Sequence, residues 1–255
     1  GEAERVARVR QIVTQVDWPC EMKTLFRDQN LGCKMAVSGA INWFFEHEEQ
    51  GIILEDDVLP DASFFPFCDE LLARYKDDER VMAISGANPV SGYSRPSADY
   101  FFSLFVHVWG WATWRRAWAK YNVTMADWSL WRKNLSMMGH GFLFRMYWNR
   151  QFERTFSGHI DTWDFQWVYS IWKNNGFCAT ATKNLTQNIG FGDGATHTHD
   201  VPDYVKRSVV DPMKFPLQHP TIIARDLAME KLDLEIAFDL TYRAQIFKRL
   251  KKMMW

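Results

Sequence analysis

Apolar residues recur at helical spacing through the opening segment, at Val6, Val9, Ile12, Val13 and Val16, and predict a helix over 2–16 that stops before Pro19. Met22 to Phe26 reads as a short strand, and Lys34 to His47 as a second helix. Gly51 then opens the run Gly-Ile-Ile-Leu-Glu, whose unbroken apolar and β-branched character predicts a parallel strand buried on both faces. Asp61 is placed to cap a helix carrying Phe64, Phe65, Cys68, Leu71 and Leu72, and Val81 to Ser85 predicts another buried strand closed by Gly86. Helix alternates with strand, so the expected class is α/β, a Rossmann-like, mostly parallel sheet flanked by helices, with the sheet core ending near Gly86.

Beyond it lie an aromatic strand from Tyr100 to His107, the segment WGWATWRRAWAKY, and helices up to Asn175, with Gly176 expected as the glycine that ends the last of them. Phe177 to Thr186 alternates as a strand, and NIGFGDGATHTHD is a glycine-rich loop. The tail after Asp239, TYRAQIFKRLKKMMW, carries five basic residues and no acid, with Ile246, Leu250, Met253 and Met254 at helical spacing. It suits either a solvated terminal helix or attachment to a membrane surface. The expected organisation is a catalytic domain over 1–238, its acceptor side at roughly 100–200, and a basic amphipathic helix over 239–255.

Composition narrows the function. With 255 residues, 47% of them hydrophobic, the chain has enough apolar surface for one large core. A net charge of −1 carries no polyelectrolyte signature, so nucleic acid is not an expected partner and any bound phosphate belongs to a small molecule. Cys20, Cys33, Cys68 and Cys178 lack the spacing of a metal clip and read as buried thiols in a reducing compartment. The charged opening GEAERVARVRQ lacks the apolar run of a signal peptide, and the aromatic stretch from Tyr100 to Trp114 is interrupted and short of the roughly twenty apolar residues a span needs. The expected location is cytoplasmic, either free or in peripheral contact with the inner membrane face through 241–255. The 13 tryptophans suit core packing and also stacking on sugar rings, with packing expected to account for most.

Glu55-Asp56-Asp57 closes the strand that begins at Gly51. Adjacent ionised carboxylates repel, and a hard divalent cation, Mn or Mg, removes that repulsion through oxygen ligands. In open α/β sheets the ligand crevice lies beyond the carboxyl ends of the strands, where this triplet falls. Side-chain alternation cannot aim all three acids at one ion, so Asp57 is the expected metal ligand, while Asp56 and Glu55 bind the ribose or order the site.

GIILEDDVLPDASFF resembles the metal-binding strand of GT-A-fold glycosyltransferases, and is especially similar to the N-acetylglucosaminyltransferase I group and its bacterial relatives. Thr162-Trp163-Asp164-Phe165-Gln166-Trp167 resembles that group's tryptophan-aspartate segment opening a helix, which implies that Asp164 is the catalytic base. Asn188-Ile189-Gly190-Phe191-Gly192, with Gly194, Thr196 and His197, resembles the loop that closes over the diphosphate. The matches fall in the family's order between Val13 and His199, and WGWATWRRAW resembles bacterial enzymes of polysaccharide assembly. One departure is expected to matter: the chain opens in a helix, so the family's first β-α unit, about forty residues, is missing.

The resemblance implies a metal-dependent, inverting glycosyltransferase that moves a sugar from a nucleotide-sugar donor, a UDP-sugar such as UDP-N-acetylglucosamine, to a hydroxyl of a glycan or lipid-linked acceptor. Glu55, Asp56, Asp57, Gly192 and His197 are then the donor-binding residues, Asp57 and His197 the metal ligands, and Asp161 the nearest substitute for Asp164 as base. His199 and Asp193 are further loop candidates. Arg115 and Arg116 are expected to face solvent rather than clamp phosphate, and His107 to be a satisfied core histidine. Two other classes remain open: a nucleotidyltransferase, for which no glycine-rich basic phosphate loop is visible, and a non-catalytic carbohydrate-binding module built on the tryptophans.

Overall fold

The computed structural model describes residues 1–93, 96–191 and 201–241. Two helices open the chain, α1 (Glu2–Val13) and α2 (Gly32–His47), with no regular element over Met22–Phe26. Strands β1 (Gln50–Ile53) and β2 (Val58–Pro60) follow, then α3 (Phe64–Arg74) and β3 (Val81–Ser85). Next come β4 (Tyr100–Ser103), β5 (Trp111–Trp114), the short helices α4 (Arg115–Trp118) and α5 (Trp128–Trp131), and a tighter helical turn over Arg132–Met137. The last elements are α6 (Phe142–Phe156), α7 (Asp164–Lys173), β6 (Phe177–Ala181), β7 (Thr186–Asn188), α8 (Asp203–Arg207) and α9 (Leu227–Ile236).

The fold is mixed α/β, and its main sheet is mostly antiparallel rather than mostly parallel. Its order is β1-β5-β3-β6-β4, and of the four neighbouring pairs only β3 with β6 is parallel. The cause lies in the connections. β1 and β3, joined through α3, and β6, which follows α7, run one way, as helical crossovers require. β4 and β5 follow irregular segments instead and insert in the opposite sense, β5 between β1 and β3. Strands after residue 100 therefore complete the sheet instead of lying beyond it.

Helices cover both faces. On one, α3 packs Phe64, Phe67, Cys68, Leu71 and Leu72 against Val81, Ile84, Ala112 and Trp114. On the other, α2, α6 and α7 join a tryptophan-rich core in which Trp111 of β5 meets Trp163 and Trp167 at ring distances of 5.5 and 5.7 Å. That packing fixes the start of α7 over the sheet, and most of the tryptophans are spent on it.

Several local expectations change. β1 is an edge strand, half-buried and antiparallel to β5, because an unbroken apolar run does not by itself distinguish a strand covered on both faces from one at a rim; Leu54 is 39% exposed. α1 ends at Val13, and its apolar stripe is exposed. Of the strand expected over Tyr100–His107, only Tyr100–Ser103 pairs. Asn175, not Gly176, takes the left-handed position after α7, with φ 55°, while the Gly176 N–H closes on the Ile171 carbonyl at 2.9 Å. Cys68 and Cys178 are buried as expected, whereas Cys33 is half-buried and Cys20 exposed. No helix among the described residues is long and apolar enough to cross a membrane.

Candidate functional site

A cleft of about 600 Å³ opens beyond the end of β1. The triplet turns out of the strand there, the turn being closed by the Val58 N–H on the Glu55 carbonyl at 3.1 Å. Glu55, Asp56 and Asp57 line one side, Thr162, Trp163 and Asp164 another, and Asn30, Gly32, Cys33 and Ala36 at the start of α2 a third. Val108, Trp109, Asn188, Gly190 and Phe191 complete the wall. Three stretches far apart in sequence, the acidic triplet, the start of α7 and the opening of the glycine-rich loop, thus meet in one place.

Asp57 is held by the small sheet. β2 pairs antiparallel with β7, Val58 opposite Asn188, and this ribbon brings the loop onto the acid. Asn188 Nδ2 donates to Asp57 Oδ2 at 3.3 Å, and the Ile189 N–H donates to the Asp57 carbonyl at 2.8 Å. Gly190 follows at such close range that a Cβ on it would stand 2.1 Å from Asp57 Oδ2, so a side chain here would displace the carboxylate.

Asp164 is the first residue of α7. One of its oxygens, Oδ1, accepts from the Phe165 N–H at 2.9 Å and from the Thr162 hydroxyl in a short bond. Oδ2 has no hydrogen-bond partner among the described residues. Asp161, by contrast, is engaged elsewhere: its oxygens accept from the Cys33 and Lys34 N–H groups at 3.0 and 3.4 Å, satisfying the open N-terminus of α2. Gly32, at φ 72°, gives it room, since a Cβ there would lie 2.6 Å from Asp161 Oδ2. Asp161 thus serves as the cap of α2.

The electrostatics are one-sided. Among the described residues no lysine, arginine or histidine lines the cleft, while four carboxylates do. Burial, then Asp57, Asp164 and Asp56, push the Glu55 carboxyl up to about 7. Burial, with Glu55, Asp164 and Asp161 adding to it, pushes the Cys33 thiol up to about 11, which favours its neutral form. The donors present are carboxylate oxygens, which suit a hard divalent ion. Among the described residues no group of three or more His, Cys, Asp or Glu is placed to hold a metal ion by itself. Magnesium-type sites are commonly built from one or two carboxylates, with water and substrate phosphates supplying the rest.

The remaining candidates separate. Gly192, Asp193, Gly194, Thr196, His197 and His199, and the tail from 242 onward, lie outside the described residues. His107 is a satisfied histidine, its Nε2 2.8 Å from Asp233 Oδ2. Arg115 and Arg116 do not simply face solvent: Arg115 Nε donates to the Phe45 carbonyl at 2.6 Å, and Arg116 to the Lys76, Tyr75 and Val81 carbonyls, tying down the ends of α2 and α3 and the start of β3. Trp109 and Cys33 reach the cleft without any local sequence signal. Thr162 had one, a hydroxyl two residues before an aspartate at a helix start. No protein-family profile and no curated protein matches this chain.

Proposed function

We propose that this cleft is the active site of a metal-dependent glycosyltransferase of the GT-A type, transferring a sugar from a UDP-sugar to a hydroxyl of a glycan or lipid-linked acceptor with inversion. The observation that carries the proposal is the convergence of Glu55, Asp56, Asp57 and Asp164 on one cleft whose described lining offers no positive charge. Four carboxylates around an open cavity bind an anionic diphosphate only when a cation stands between them.

Asp57 would hold that cation, with Asp56 beside it; when bound, Mn or Mg neutralises charge on the departing diphosphate. The chain's own work is positional. Asn188 and Gly190 fix the Asp57 carboxylate, and the tryptophan packing beneath α7 fixes Asp164. Asp164, with one oxygen engaged, takes the acceptor hydroxyl proton on the other as the hydroxyl attacks the anomeric carbon from the face opposite the leaving group. Trp163 and Phe165 beside it limit the approach of water.

A donor panel with Mn²⁺, read by nucleoside diphosphate release and by thermal shift, tests the reading. Asp164→Asn should keep the thermal stabilisation given by donor and Mn²⁺ and lose turnover; Asp57→Asn should lose both. Wild-type protein showing neither stabilisation nor turnover with any donor would sink the proposal, and stabilisation by sugars alone without turnover would favour a binding module.

A further inference from the structure

We infer that Thr162 is a positioning residue for the base, fixing one oxygen of Asp164 so that the other is left to meet the acceptor. The inference rests on the reading of Asp164 as base and adds to it a residue that the resemblance assigns no role. Thr162 lines the cleft beside Asp164, and its hydroxyl donates to Asp164 Oδ1. The same oxygen receives the Phe165 N–H at 2.9 Å, so its hydrogen bonds come from two groups of fixed direction. With Oδ1 tied down, rotation of the carboxyl group breaks both bonds together, and Oδ2 keeps one orientation.

Thr162 can act this way because the backbone on either side of it is held. Asp161 before it is bound to the Cys33 and Lys34 N–H groups of α2. Trp163 after it is stacked on Trp111 with rings 5.5 Å apart, and its carbonyl accepts the Tyr121 hydroxyl at 3.1 Å. The hydroxyl is therefore delivered from a fixed strap between α2 and the core. The hydroxyl does not cap α7: the helix start at Trp163 has no side-chain cap bond, and the Thr162 O–H donates its hydrogen bond to the Asp164 carboxylate.

The test compares Thr162→Val, Thr162→Ser and Asp164→Asn by UDP release from UDP-N-acetylglucosamine with Mn²⁺ and a hydroxyl acceptor. Valine keeps the shape and removes the donor, and a misaligned base costs about tenfold to hundredfold in rate. Thr162→Val should lose that much in kcat while KM for the donor stays within twofold, and Thr162→Ser should restore kcat. If Thr162→Val matches wild type while Asp164→Asn is dead, the inference falls and the base reading stands. Equal loss in the valine and serine variants assigns Thr162 to packing and also overturns it. A fully active Asp164→Asn enzyme removes the base reading, and this inference with it.

Discussion

Replacing Glu55 with glutamine should stabilise the protein above neutral pH and leave its stability unchanged in acid. The wild-type carboxyl, moved from 4.5 to about 7 by burial and by Asp57, Asp164 and Asp56, keeps its proton in the folded chain at pH values where the unfolded chain has released it. At pH 4 both states are largely protonated. Between 4.5 and 7 only the folded state holds the proton, so each rise in pH weakens folding, and above 7 the ionised native carboxylate carries the whole penalty. The full displacement corresponds to about 3 kcal/mol. Because the side chain is partly open to the cleft, solvent screening reduces the expected gain for Glu55→Gln to roughly 1–2 kcal/mol at pH 8. Urea unfolding of both proteins at pH 4 and pH 8, without divalent cation, measures it. Equal stability differences at the two pH values, or a variant less stable than wild type at pH 8, refute the reasoning. Saturating Mn²⁺ should narrow the gap at pH 8, since a cation held by Asp57 next to Glu55 offsets the penalty of the ionised wild-type carboxylate and has no such charge to offset in the glutamine variant.

Other perturbations bear on the scaffold around the cleft. Gly190→Ala should cost about 1–3 kcal/mol through overpacking and abolish the thermal stabilisation by Mn²⁺ and donor, because the new Cβ takes the space of the Asp57 carboxylate; a melt with and without ligand checks both. Asp161→Ala should remove about 1 kcal/mol by uncapping α2, seen in urea unfolding. Burial opposes charge on Glu230, yet bonds from His140 and Arg225 and the Leu104 N–H hold it below the usual carboxylate range. Glu230→Ala, which strands the Arg225 guanidinium, should therefore cost about 3–5 kcal/mol, measurable by the same unfolding experiment.

Much of this architecture was legible in the residues. The helix ending at His47 and the buried run Val81–Ser85 stand where the pattern put them, because each rests on a local run of apolar positions. Sheet direction was not legible: the sense of β4 and β5 is set by how irregular connections return to the sheet, and side-chain pattern carries no record of that. The same limit hid the partners of Asp161 and Arg115. Each is a charged residue whose purpose is a backbone group distant in sequence, the α2 N–H groups for one and the Phe45 carbonyl for the other. Asp57 and Asp164 could be named separately from the sequence, whereas the bond from Asn188 that fixes the first and the bond from Thr162 that fixes the second needed the fold.

The strand order has a consequence in time. Synthesis delivers β3 well before either of its hydrogen-bonding neighbours, β5 at Trp111–Trp114 and β6 at Phe177–Ala181. Until the ribosome has passed Ala181, the apolar run Val81–Ser85 has no complete set of partners, and an unpaired strand of this kind is a template for other chains. β1, β5 and β3 can pair once Trp114 has been made, but the β6 side of the sheet stays open until Ala181, and the acidic turn, the α7 strap and the β2–β7 ribbon reach one another only after Asn188 has been made.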